Sequence, residues 1–542
     1  MSYHLRKPKT ELLASLMQTL RKSMLSNEES DLLNQSNDKH IPERRDFLKK
    51  TGKAVAAMGL LGMMESCRKT IESITPYDLE NIVEAKNSGI APRVVIVGAG
   101  IAGLHAAFVL KQKGITAQVY EGSSRIGGRI FSAQNIMGTG LTTELGGEFI
   151  DSGHKDMLKL ANTFKLELLD TRPINNTSTS YQAYYFEGIH YTELEVINAF
   201  KLYSSQIKKD IQSLSGYITA DQHTSNDLFF DNMSIAAYFD RIGLHGWLRK
   251  LFDVAYLTEY GLSIDRQTSL NFLYLISPKV NNNRFDIFGV SDERYKIKGG
   301  NQQICDQLAV ELEGQTHIEH ELLAITKNNN NSYDLSFKNN NSTKTINCDF
   351  LLITIPFTLL RNVAMQPAWP EWKRKAIFDI GYGNNSKLMI GFNTRYWHPL
   401  GYAGYYFTDS FLQSGWDSSE LQAPVNGSLT IYSGGNQALN VGNGSIASQV
   451  NAHLPVLEQM YPGAIAGFNG KAERFIWPTY KWTKASYTCF HPGQYTSIAG
   501  NEIKPVGNIF FAGEHCSYNF QGFMNGGAET GRIAAEEIIK KV

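Results

Sequence analysis

The stretch from Arg93 to Glu121 constrains this chain more than any other. Arg93-Val94-Val95-Ile96-Val97 is an apolar, β-branched run of the kind that makes a strand buried on both faces of a parallel sheet. It leads into Gly98-Ala99-Gly100-Ile101-Ala102-Gly103, after which Leu104 to Lys113 carries a helical pattern closed by Gly114. Thr116 to Tyr120 predicts a second strand, ending at Glu121. Strand, glycine turn, helix, strand and acid, in that order, predict a dinucleotide site. Gly98 permits the tight turn, Gly100 lets the backbone approach a pyrophosphate, and Gly103 allows close packing of helix on strand. The pyrophosphate is expected at the helix N-terminus, beside Ala102, where free N–H groups and the helix dipole favour anions. Glu121 follows at close to the ~20-residue distance expected of a carboxylate that accepts from ribose hydroxyls.

The next residues choose between dinucleotides. Ser123-Ser124-Arg125-Ile126-Gly127-Gly128-Arg129 forms a second glycine–arginine turn for which a nicotinamide enzyme has no use. Gly127 and Gly128 let the backbone pass close to a cofactor, and Arg125 and Arg129 bring guanidinium groups, of which Arg129 can meet phosphate. The cofactor expected is therefore FAD.

Composition excludes several other classes. At 542 residues the chain is too long for one ordinary core. Its 52 Lys and Arg balance 52 Asp and Glu, which argues against nucleic acid as a main partner, because neutralising phosphates takes a basic surplus. The five cysteines are scattered and none forms a CxxC pair, so neither a disulfide framework nor a metal site is expected. No apolar run reaches the ~20 residues of a membrane-spanning helix.

Residues 1–40 are polar and expected to be disordered. Glu43-Arg44-Arg45-Asp46-Phe47-Leu48-Lys49-Lys50, followed by the short apolar stretch Ala54 to Met64, resembles a twin-arginine export signal spanning 41–67. This predicts a periplasmic or otherwise extracytoplasmic protein, exported already folded around its cofactor. The long region before the arginines and the missing Ala-x-Ala cleavage site are departures from the pattern. Cys67 is a weaker alternative as a lipid-attachment point, since Met64-Glu65-Ser66 fits that motif poorly.

From about residue 92 to the C-terminus the chain resembles the flavin-containing amine oxidase family, which includes monoamine, polyamine and L-amino-acid oxidases. Thr143-Glu144-Leu145-Gly146-Gly147-Glu148-Phe149 is similar to the family's acidic-Leu-Gly-Gly segment beside the flavin ring. Lys298-Gly299-Gly300-Asn301-Gln302 resembles the start of a second cofactor-domain stretch, and His317 to Ile325 the strand whose backbone, near Leu322, holds the adenine. Asp349 to Pro356 matches the next core strand. Asn508 to Phe511, the turn Ala512-Gly513-Glu514-His515, and Gln521-Gly522-Phe523-Met524-Asn525-Gly526-Gly527 opening a helix from Ala528 to Lys541 complete the match. The resemblance implies that Glu514 binds the ribityl–phosphate region and that the helix N-terminus near Met524 faces the flavin. The fold implied is α/β: a Rossmann-like FAD domain assembled from 90–150, 295–375 and 500–542, with an α+β substrate domain from 151–294 and 376–499.

The same resemblance implies the chemistry: hydride transfer from the carbon bearing an amine to the flavin, hydrolysis of the imine, and reoxidation by O2 to hydrogen peroxide. Gly383 to Ile390 is similar to the strand that supplies the family's active-site lysine, which makes Lys387 the expected holder of a water near the flavin. Ser486-Tyr487-Thr488 and Gln521-Gly522-Phe523 resemble the segments that furnish two facing rings, so Tyr487 and Phe523 are expected to align the amine, with Trp482 packed nearby. Two departures stand out. Ser486 occupies the position where some monoamine oxidases carry a flavin-linking cysteine, so FAD is expected to be noncovalent. Phe149 stands where L-amino-acid oxidases of the venom type have a carboxylate-gripping arginine. Glu148 and Asp151 favour a basic substrate if they face the cavity, and are otherwise a solvated loop. An L-amino-acid oxidase for basic or aromatic substrates, a related FAD desaturase or porphyrinogen oxidase, and a flavin-binding protein without catalysis are the alternatives. The oligomeric state is open between monomer and homodimer.

Overall fold

Strand Val94–Val97 is buried along its whole length because parallel neighbours flank it and helices cover its sheet. The computed structural model describes residues 91–171, 180–280, 286–340 and 342–542; the leader, the paired arginines and Cys67 lie outside the described residues. Residues Pro92–Lys541 form one compact unit.

Its first layer is a five-stranded, all-parallel sheet in the order Ile509–Phe511, Phe350–Ile353, Val94–Val97, Ala117–Tyr120 and Thr316–His317. Its strands come from widely separated parts of the chain. Helices Ile101–Lys111 and Met524–Lys541 pack on one face in a core with Ile96, Leu104, Val119, Leu352 and Ile538. These two helices approach closely because a side-chain carbon on Gly531 would lie 2.2 Å from the Ala102 carbonyl oxygen. A four-stranded sheet, Ser342–Cys348, Tyr333–Asn339, His320–Lys327 and Ala364–Gln366, covers the other face together with Phe357 and Ile377.

The second half is built on a seven-stranded sheet in the order Phe468–Ile476, Asn385–Phe392, Gly427–Gly434, Ser414–Asp417, Tyr402–Thr408, Ser180–Phe186 and Ile189–Tyr191. Helices Glu193–Ser213, Ser225–Asp231, Ile235–Arg241, Gly246–Tyr260 and Ser269–Leu275 bury an aromatic-rich core against it, with Phe200, Tyr238, Phe239, Phe252, Tyr256 and Phe272 fully buried. Capping boxes at Thr192–Glu195 and Thr224–Asp227 start two of these helices.

Three boundaries differ from the sequence reading. The final helix begins at Met524 rather than Ala528, because Gly526 and Gly527 are places of close packing inside it, not turn residues. A side chain on Gly526 would strike the Phe520 carbonyl oxygen at 2.1 Å. The first helix runs Ile101–Lys111, starting within the glycine turn. His317 to Ile325 is two strands in two sheets, Thr316–His317 and His320–Lys327, broken at Glu319, whose φ is +59°. Among the described residues no helix is long and apolar enough to cross a membrane.

Candidate active site

A cavity of about 320 Å³ runs from the first glycine turn to the start of the last helix. Gly98, Gly100, Ala102, Glu121, Arg125, Gly128, Arg129, Gly146, Gly147, Leu322, Lys387, Tyr487, Gly513, Glu514, Phe523 and Met524 all line it. Of the other residues singled out from sequence, Gly103 lies behind the wall and Glu148 lines the neighbouring cavity instead. Gly103 acts through packing, since a side-chain carbon there would lie 2.0 Å from the Gly98 carbonyl oxygen.

The two glycine turns lie against each other. Gly127 N–H donates to Ala99 (2.8 Å), and a carbon added to Gly128 would come within 3.3 Å of the Gly100 Cα. The first turn of the helix opens onto this bare backbone, and a helix's first N–H groups have no partner within it. The cradle therefore fits a pyrophosphate. Glu121 pins the same turn: Oε2 accepts from Ala99 N–H at 2.8 Å and Oε1 from Ser123 N–H at 2.9 Å. Each carboxylate oxygen keeps a second lone pair for a ribose hydroxyl.

The two arginines of the cavity wall make different contacts. Arg125 donates to the carbonyls of Ile126, Gly128 and Ile130 and lies over the Phe131 ring at 4.2 Å, so it holds the turn together. Arg129 Nη1 donates to Ser486 O at 2.8 Å and to Glu514 Oε1 at 2.7 Å. Burial alone pushes the Glu514 carboxyl up; Arg129 and the Gly522 N–H, at 2.8 Å, outweigh it and hold the group below the usual carboxylate range. Trp482 does not pack beside the aromatic pair. Its indole covers Gly122, next to Glu121.

A second cavity of about 200 Å³ shares Gly146, Gly147, Lys387, Tyr432, Tyr487, Gly522, Phe523 and Met524 with the first. Lys387 reaches this shared wall by strand alternation. On Asn385–Phe392, Leu388, Ile390 and Phe392 enter the core behind the sheet, while Met389 and Lys387 face the 141–148 segment. The Lys387 ammonium donates to Glu144 O (3.0 Å), Gly146 O (2.9 Å) and Glu148 Oε2 (2.8 Å). An ammonium has three N–H donors, so all are engaged by protein, and a water can be held only by replacing one of these acceptors. Glu148 Oε1 accepts from Lys296 at 3.0 Å. Burial pushes Glu148 up, but its two lysines prevail and keep it ionised.

Tyr487 and Phe523 both reach the shared wall without touching each other. Tyr487 shares a hydrogen bond with the Tyr432 hydroxyl (2.9 Å), and Tyr432 sits opposite Lys387 in the sheet register. His154 lies edge-on to Phe523 at 5.1 Å; its Nδ1 accepts from Asp151 N–H at 2.9 Å. Trp416 adds a ring 5.1 Å from the Lys387 ammonium.

The second cavity is acidic. Glu148, Asp151, Glu259 and Glu293 line it, and among the described residues no arginine does. Burial, then Asp151, raises Glu259 to about 7; burial, then Glu259 and Asp151, raises Glu293 to about 8. Glu293 has a left-handed backbone, φ +43°, held by Asp151 Oδ1, which accepts its N–H at 2.9 Å. Sequence reading missed Glu259, Glu293, Lys296, Tyr432 and Trp416, none of which belongs to a motif.

A family model described as flavin containing amine oxidoreductase matches residues 101–539. The chain belongs to this family. As a flavin amine oxidoreductase it is 22% identical over 483 residues to amine oxidase [flavin-containing] A of Sus scrofa, covering 85% of this chain and 87% of that protein. It is 23% identical over 493 residues to an L-amino-acid oxidase of Pseudechis australis, covering 86% and 91%. The fold is similar to that of cyclohexylamine oxidase from Brevibacterium oxydans IH-35A, with a TM-score of 0.73, 19% identity, and coverage of 83% of this chain and 99% of that one. The cofactor of this flavin amine oxidoreductase is FAD. It is held noncovalently, for Ser486 stands beside Tyr487 and donates its hydroxyl to Asn385 Oδ1 at 2.7 Å.

Proposed function

We propose that this protein is an oxidase that converts an amine to its imine, and that its preferred substrate carries a second basic nitrogen. One observation carries this reading: Glu259 and Glu293 reach the cavity beside the cofactor with no ion pair or hydrogen bond to their carboxylates among the described residues. A buried carboxylate without a cation is costly, and each holds its proton into the neutral range for that reason. A substrate ammonium there would discharge both costs. The opposite end of the substrate would lie between Tyr487 and Phe523, whose apolar faces favour the neutral amine needed for oxidation. Bound FAD supplies the hydride acceptor, and its reoxidation by O2 yields hydrogen peroxide. An α-amino acid is disfavoured because its carboxylate would enter an acidic cavity that has no arginine among the described residues and a lysine whose donors are all engaged.

The leader supports a further reading, export in the folded state through the twin-arginine route.

A peroxide assay across matched pairs tests the substrate: a diamine, the monoamine of equal length, and the amino acid. The diamine is expected to show a kcat/KM at least about tenfold higher, about 1.4 kcal/mol. E259Q/E293Q should erase that preference. Equal efficiency with diamine and monoamine in the wild type would refute the reading.

A further inference from the structure

Lys296, Glu148 and Lys387 form a chain of buried charge. Glu148 Oε1 faces Lys296 at 3.0 Å and Oε2 faces Lys387 at 2.8 Å, and the three side chains are between 2% and 6% exposed. Only Glu148 and Lys387 reach a cavity; Lys296 stands behind, with its ammonium 4.9 Å from the Phe149 ring. Lys296 is placed by pairing with Leu169 in the short antiparallel ladder Leu168–Asp170 with Tyr295–Ile297.

A lone Lys387–Glu148 pair would sum to zero charge at the wall facing the flavin. Such a pair stabilises the lysine but cancels most of its field there. With Lys296 the carboxylate is shared, and the group of three carries one net positive charge. We propose that Lys296 is a positioning residue that acts through Glu148, holding Lys387 in place while leaving its positive field uncancelled at the flavin. Lys296 also lies within electrostatic reach of Glu293, whose carboxylate has no partner among the described residues, and of Glu420 and Asp417, which accept hydrogen bonds. Glu420 accepts from the Tyr405 hydroxyl at 2.8 Å, and Asp417 accepts from Ser419. Glu144 Oε1 accepts from Asn301 N–H at 2.7 Å and Oε2 from Ser132. Asn301 Nδ2 also donates to the Glu148 carbonyl at 2.7 Å, which fixes the backbone from which the carboxylate projects. Positive charge beside a flavin favours anionic species at the ring, so this arrangement tunes the cofactor's electron affinity.

The inference rests on Lys387 facing the flavin and is independent of which amine is oxidised. Its test therefore needs no substrate. Sulfite adds reversibly to bound oxidised flavin, the adduct is anionic, and the visible absorbance reports its dissociation constant. On purified holoenzyme, K296M should weaken sulfite binding by about tenfold, the order expected for one unit charge at partly buried depth, and lower the flavin midpoint potential. K296R should retain wild-type behaviour. The double variant K296M/E148Q removes one charge of each sign, leaving Lys387 alone with the same net count as the wild type, and should recover most of the loss. A K296M holoenzyme with unchanged sulfite affinity and potential overturns the proposal. So does a double variant no better than K296M, since a merely structural role for Lys296 predicts two losses that add. Should K296M fail to retain FAD, the comparison of K296R with K296M/E148Q against wild type decides in the same way.

Discussion

Arg129 and Glu514, 385 residues apart in sequence, meet at 2.7 Å across the cofactor cavity. Each comes from one of the two glycine-rich segments, and the carboxylate also receives Gly522 N–H and the Thr488 hydroxyl. The contact joins the two segments across the cavity. Removing the acid leaves a partly buried guanidinium without its partner, a loss of about 2–5 kcal/mol at sites of this kind. Glu514→Ala should therefore weaken FAD binding by at least an order of magnitude. The check is flavin fluorescence released on dilution; a change below twofold would remove Glu514 from the cofactor site.

The acidic cavity gives two opposite pH effects. Glu259 and Glu293 keep protons up to about 7 and about 8, above the 4.5 of an ordinary glutamate. Between about pH 4.5 and 8 the folded chain thus binds more protons than the unfolded one, so their contribution to stability declines as pH rises through that window. Cation binding follows the reverse course, because the ionised carboxylates are the form that binds. KM for a diamine should fall by about tenfold from pH 6 to pH 8. Binding at pH 7 should release protons, read as a buffer-dependent heat in calorimetry. In E259Q/E293Q both trends should flatten.

Lys387 offers no free donor, yet it stands at the wall common to both cavities. Lys387→Met should slow reoxidation of the reduced cofactor by about tenfold or more while flavin reduction changes less, since positive charge assists the transfer of electrons to oxygen. Stopped-flow records of the two half-reactions separate them; an unchanged oxygen step would sink the assignment.

Trp482 covers Gly122, not the amine slot. Trp482→Ala should loosen FAD by several-fold, about 1 kcal/mol for loss of an aromatic contact of this kind, with KM for the amine unaltered once FAD is saturating. A rise in KM with normal FAD affinity would return Trp482 to the neighbourhood of Tyr487.

The export reading is checked by R44K/R45K in the native host. Fractionation should find the enzyme shifted to the cytoplasm, folded and yellow; undiminished export would show that Arg44 and Arg45 are not the signal.

Much of the cofactor side was legible because its constraints are local. Gly98, Gly100 and Gly103 serve one turn, and Glu121 ends the adjacent strand, so spacing alone reveals them. The face of Lys387 was legible from the alternation of Leu388, Ile390 and Phe392. Tyr432 was not, because it meets Tyr487 only through a register opposite Lys387 that no local pattern encodes. Lys296 sits in a short strand and reaches Glu148 from 148 residues away in sequence. Glu293 reaches the cavity through a backbone conformation that glutamate seldom adopts, and Glu259 lies at the end of a helix whose pattern shows only its core face. Arg125 was located by the motif, and its place in the cavity wall comes with a guanidinium used on the turn itself.

The wall of the cofactor cavity draws on Gly98 near one end of the described chain and on Met524 and Gly527 near the other. A ribosome must therefore make both segments before there is anywhere for the flavin to lodge. Until then the growing chain has a glycine loop and an unfinished sheet, and it can capture its pigment only after the second segment has joined the first.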